Sequence, residues 1–211
     1  MILRPLLAAL LALGMAGPAA AAVAAPKHRF TDLVPIPLKS GPNTIEGFAP
    51  DGRSAVVTLG WRENGNAHAY DLFLVLMQGN GGGWNVVGFD NLTAAGGEFE
   101  DTIRDDPHTG EDVVRSVRFV RGKIDGEAAT MVFVAQRGFD PEEGIPGPSL
   151  VDYTVYRLVP GEEVGTTTDM FQPVETVQST TKFCHAEKAL LRQFGIPLTK
   201  SYGGPDTADG C

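Results

Sequence analysis

The chain has 211 residues and carries 17 basic against 26 acidic side chains, a formal net charge of −9. A surface of that sign repels phosphate backbones and anionic lipid, which argues against nucleic-acid binding and against a membrane-surface protein. The length suits one domain with a sizeable core.

The first stretch, MILRPLLAALLALGMAGPAAAAVAA, reads as an export signal. Arg4 supplies the positive start, Leu6 to Met15 the apolar run, and Ala22-Val23-Ala24 the small-x-small cleavage pattern. Gly14, Gly17 and Pro18 break the run, which disfavours a membrane anchor. No cysteine follows it for lipid attachment, and no later segment is apolar for long enough to span a bilayer. Residues 1–24 are therefore expected to be removed, leaving 25–211 as a single β-rich domain, periplasmic or secreted.

In chain order, Leu33, Ile36 and Leu38 lie among prolines and suit a short edge strand, where no ladder amide is needed. Pro50-Asp51-Gly52 forms a turn in which Asp51 caps and Gly52 takes the positive φ. It is expected to join a strand at Thr44–Phe48 to one at Ala55–Trp61. Asn64-Gly65 predicts a tight type I′ hairpin into Ala67–Met77, and Gly79–Gly83 leads on to Trp84–Phe89. The result is a three-stranded meander. Its middle strand is apolar on both faces, with Tyr70, Leu72, Leu74 and Leu76 on one and Phe73, Val75 and Met77 on the other. That strand is expected to be the most buried.

Asp90 to Glu111 reads as a long polar connection with one weakly alternating patch, Phe99–Ile103. Val113–Val120 and Ala128–Ala135 follow, joined through Asp125-Gly126, and the same hairpin device is expected twice. Phe139–Ser149 is a Pro- and Gly-rich loop. Leu150–Val159 alternates, with Val151, Tyr153 and Val155 on one face, and Phe171–Val177 contains Pro173, which suggests an edge. One helix is predicted over about 181–194, capped by Thr180 or Thr181. Phe183, Ala186, Leu190 and Phe194 form its apolar stripe, Gly195 suits a left-handed C-cap, and Pro197 prevents continuation. Cys184 and Cys211 are expected to form a disulfide that tethers the tail, as an even pair does in an exported chain.

About eight or nine strands and one late helix give a mainly β fold, an antiparallel meander sandwich or barrel with one C-terminal α-helix. Two orthogonally packed meanders, with the helix over an open end, are the expected arrangement.

Catalytic motifs are missing. No serine occupies a G-x-S-x-G elbow. His28, His68, His108 and His185 stand in unrelated segments with no H-E-x-x-H. His185 beside Cys184 points about 100° away on a helix, a poor geometry for a nucleophile and its base. The glycines of 79–83 precede a strand and not a helix, so they lack the free amides of a phosphate loop. An acidic segment remains: Glu98, Glu100, Asp101, Asp105, Asp106, Glu111 and Asp112, with Arg104 and His108 among them. Asp105, Asp106 and Asp112 supply the oxygen donors that calcium needs, without EF-hand spacing. A pair of the segment's carboxylates would suit a glycan or ester hydrolase. Trp61, Trp84, Tyr153 and Tyr156 would suit a sugar or peptide groove, or core.

The expected function is an exported, non-catalytic binding or accessory domain without cofactor, whose partner is a protein or small ligand of the cell envelope. A carboxylate hydrolase and a calcium-stabilised structural protein are the alternatives.

Overall fold

Residue-by-residue alternation in one long strand divides this protein into layers. In the computed structural model, which describes residues 27–65, 69–79, 81–91, 98–107, 113–138, 147–161 and 167–199, β11 (Glu127–Arg137) is buried along nearly its whole length. Val132 and Val134 join one apolar cluster, and Met131, Phe133 and Ala135 join another. Successive side chains on a strand point to opposite faces, so β11 separates two cores.

The sheet around it runs β1 (Phe30–Pro35), β10 (Val113–Ile124), β11, β12 (Val151–Pro160), β13 (Asp169–Gln178), β6 (Gly88–Asn91), β7 (Glu98–Glu100), with the short β9 (Asp106–Pro107) also on β10. The second sheet is β2 (Gly41–Ile45), β3 (Ala55–Arg62), β4 (Tyr70–Gln78), with β5 (Trp84–Val86) and β8 (Thr102–Arg104) sharing the far edge of β4. One core lies between the sheets: Ala55, Val57, Phe73, Val75 and Met77 meet Val117, Phe119, Val134, Leu158 and Phe171. The other lies between the larger sheet and the helix α1 (Ala186–Phe194), where Ala186, Ala189 and Leu190 meet Phe133, Val151, Tyr153 and Val155. The fold is a sandwich of two sheets with no closed barrel, mainly β with one C-terminal helix.

Several expectations change in detail. The most buried strand is β11 and not β4, because β11 has a sheet on one side and a helix on the other. In β4 only Tyr70, Phe73, Val75 and Met77 are buried, while Leu72, Leu74 and Leu76 are half-exposed on the outer face. The helix lies across a sheet face and not over an open end. It also begins later than expected: His185 is its N-cap residue, because Phe183 is held in a bridge to Ser149. Gly195 takes φ 70 and its amide donates to the Leu191 carbonyl, as a left-handed cap should.

The two Gly turns differ. Asp125 and Gly126 both have positive φ, 53° and 92°, and Ile124 pairs with Glu127, a two-residue type I′ hairpin. At the first site Gly65 has positive φ and Asn64 does not, and Arg62 pairs with Tyr70 across a longer loop. The strand expected at Thr44–Phe48 sits earlier, with Gly41 opposite Leu59 and Ile45 opposite Ala55. Gly52 does take φ 89, and Asp51 Oδ1 accepts from the Arg53 amide at 3.0 Å. β13 is inside the sheet at Met170–Phe171, where it pairs parallel with β6; Pro173 falls past that contact.

The polar segment after Asp90 is the largest departure. Its described residues stitch the two sheets together, with β6, β7 and β9 on the large sheet and β8 on the small one.

Candidate ligand cavity

Two prolines shape the edge of β10. β1 pairs with β10 as far as Pro35 opposite Val120, and β9 pairs with it again at Pro107 and Asp106, opposite Val113 and Arg115. Proline lacks the amide a ladder requires, so pairing stops at such positions. On that edge, opposite β11, Ser116–Arg118 has no partner strand among the described residues. Ile36 donates its amide to the Phe119 carbonyl at 2.8 Å. Backbone polarity alternates along an antiparallel strand, so the Val117 amide and carbonyl turn to that same edge.

A cavity of about 810 Å³ opens against this notch. Its apolar wall is built by Pro35, Ile36, Leu38, Leu59, Phe73, Val117, Phe119, Pro197 and Leu198. Phe73 and Phe119 lie with ring centroids 5.6 Å apart, joining the two sheets under it. Asp71, Asp105, Ser116, Arg118, Glu187 and Thr199 bring polar groups to an otherwise apolar lining, and Trp61, 53% exposed, borders it. A mostly apolar hollow with a few convergent polar groups is the usual form of a small-molecule site.

These polar groups are held in place. Glu187, 2% exposed, accepts from Arg118 Nη1, from the Thr199 amide at 2.8 Å and from the Thr199 hydroxyl at 2.7 Å, all through Oε1. Its Oε2 is buried with no hydrogen-bond partner. Arg118 Nη2 also donates to the Pro197 carbonyl at 2.9 Å. The helix and the segment after it are thereby fixed as one wall of the cavity. On the opposite wall the Asp71 amide donates to Asp105 Oδ1 at 2.8 Å and the Asp105 amide donates to the Asp71 carbonyl at 3.1 Å.

The residues singled out in the sequence scatter. Of the acidic segment, Asp105 reaches the cavity, Glu100 and Asp101 are exposed, and Asp106 pairs with β10. Glu111, Asp112 and His108 lie outside the described residues, as does the side chain of Glu98. Among the described residues no three His, Cys, Asp or Glu side chains converge as a metal would require. The four aromatics do not share a groove: Trp61 borders the cavity, Trp84 is 47% exposed on β5, Tyr153 is under the helix, and Tyr156 faces the sheet interior. His28 bonds Asp125, and the distant His185 accepts from the Val113 amide. Cys184 is 1% exposed and its sulfur is in a disulfide. Cys211, the partner expected from the sequence, lies outside the described residues.

Arg118 and Glu187 were not singled out by motif. The signal that marks them is charge where neighbours are buried: VVRSVRFVRG carries arginines inside an apolar strand, and Glu187 follows Ala186 on the packed face of the helix.

No family model matches the sequence, and no curated protein matches it. A solved structure does match: the crystal structure of CarG superposes with a TM-score of 0.61, over 79% of this chain and 99% of that one, at 19% sequence identity. The likeness shows the fold. At that identity nothing about side chains or activity carries over.

Proposed function

We propose that the chain is an exported, non-catalytic binding or accessory domain of the cell envelope, and that its ligand occupies the cavity beside Ser116–Arg118. The cavity carries this reading. It is large enough for a small molecule, apolar enough to desolvate one, and fitted with fixed polar groups for orientation. Its described lining holds no histidine or cysteine. The export signal at 1–24 supports the location, and the disulfide at Cys184 fits an oxidising compartment.

The test is recovery of the ligand from protein purified out of the cell envelope, by denaturation and mass spectrometry. A small molecule should accompany the wild type and be missing from Leu38→Trp, which fills the hollow from its rim. Protein that emerges empty, with Trp61 emission unmoved by envelope extract, contradicts the reading.

A second reading, hydrolysis of an envelope glycan or ester, draws on Asp71 and Asp105 bordering the same cavity. Turnover of envelope glycan that Asp105→Asn abolishes would support it over binding alone. The calcium reading would rest on Asp105, Asp106 and Asp112; a melting temperature unchanged by EDTA would remove it.

A further inference from the structure

We propose a second site, independent of the cavity above, in which Arg115 binds the carboxylate of a small molecule. Arg115 lies on the face of β10 that looks between the sheets, at the end of the inter-sheet core. It borders a hollow of about 330 Å³ together with Asn91, Gln136, Thr154, Tyr156 and Thr176.

Arg115 differs from the other arginines packed into this fold. Arg53 holds Asp169 through two nitrogens at 2.8 Å each, Arg118 holds Glu187, Arg137 donates to the Cys184 carbonyl, and Arg157 holds Glu127. Among the described residues nothing hydrogen-bonds or ion-pairs with the Arg115 guanidinium, and its Nε is sealed from solvent without a partner. Burial lowers its pKa from the ordinary arginine value, and the nearby Tyr156, Glu100 and Asp106 offset that only in part. A half-buried guanidinium with no hydrogen-bonded carboxylate is costly, and such groups are normally paired. A ligand anion supplies the missing pair.

The surroundings select the class of anion. Asn91, Gln136, Thr154 and Thr176 offer neutral polar groups around the guanidinium, and the Tyr156 hydroxyl is oriented by donating to Asn91 Oδ1 at 2.9 Å. A planar guanidinium matches a carboxylate through two parallel hydrogen bonds. Asp90 and Asp152 also border the hollow. Their charge disfavours a phosphate dianion and tolerates a monoanion, so the site takes a monocarboxylate.

The test uses nitrogen-15-labelled mature protein and follows the Arg115 Nε–H resonance during titration with acetate and then N-acetylglycine, against sodium chloride at matched ionic strength. The proposal expects a saturable shift of that resonance with the carboxylates, tighter for N-acetylglycine. It also expects Arg115→Met, with no ligand present, to melt at the same temperature or higher, and to lose the carboxylate-induced rise in melting temperature. An equal shift with chloride (an adventitious ion only), tighter binding of inorganic phosphate, or no saturable shift in the wild type overturns it. If Arg115→Met fails to fold, Arg115 has a structural role and the proposal fails with it.

Discussion

Arg118 on β10 and Glu187 on α1 form a buried ion pair, with side chains 11% and 3% exposed, that ties the helix to the sheet and walls the cavity. Desolvating two charges costs about as much as their attraction returns, so the pair is weak evidence of net stabilisation. Losing one member is different, because the other stays buried and unpaired. Arg118→Met should cost about 3–5 kcal/mol in urea unfolding, and adding Glu187→Met should restore most of that loss. Equal losses in the single and double variants would show that the pair does not act as a unit.

The two Gly turns should respond unequally. Gly126→Ala places a β-carbon at φ 92° in a two-residue hairpin between the longest strands, and about 1–2 kcal/mol of stability should be lost. Gly65→Ala, in the longer loop between β3 and β4, should cost less. Denaturant midpoints compare them directly.

That contrast shows what local chemistry conveys. Asp-Gly and Asn-Gly look alike in sequence, yet only at Asp125-Gly126 do the flanking strands continue in register to the turn. Alternation in Val151, Tyr153 and Val155 and the stripe Phe183, Ala186, Leu190 and Phe194 were legible, because period alone says which face is buried. The identity of the layer that covers a face was not. Leu72, Leu74 and Leu76 match Met131, Phe133 and Ala135 in apolarity, but only the latter lie under the helix. The short strands β7 to β9 showed only as the weak patch Phe99–Ile103, because each is too short for a period to develop and β8 is held by β4, distant in sequence. The cavity depends on where Pro35 and Pro107 interrupt one edge of β10, a relationship that exists only once those strands are paired.

Tyr153 gives an alkaline prediction. It is 1% exposed, its hydroxyl donates to the Ala189 carbonyl at 3.3 Å, and burial pushes its pKa up to about 12. The folded state therefore holds this proton more tightly than the unfolded chain, whose tyrosines titrate near pH 10. Its contribution is complete below about pH 10 and is lost as pH rises through about 12. Phenolate absorbance should show a late-titrating tyrosine whose ionisation coincides with loss of the helix signal in circular dichroism. Tyr153→Phe should remove that phase and cost about 1 kcal/mol at neutral pH. If every tyrosine titrates near pH 10 with the helix intact, Tyr153 is not held as described.

The disulfide at Cys184 lies at the start of the helix. With Cys211 as its partner, it closes a loop whose constraint on the unfolded chain is worth about 3–4 kcal/mol. Reductant, or Cys184→Ala, should lower stability by about that amount and raise hydrogen exchange first in α1. Two free thiols found by mass spectrometry in protein from the envelope would contradict the pairing.

The central claim is that a small molecule occupies the notch left by β1 and β9 on β10. The most direct measurement is methyl-detected NMR of the mature protein during addition of envelope small-molecule extract. The account predicts saturable shifts at Leu59, Val117 and Leu198, which line the cavity, and none at Leu72, Leu74 and Leu76 on the outer face of β4. Shifts confined to the outer face, or no shift at any of these methyls, would contradict it.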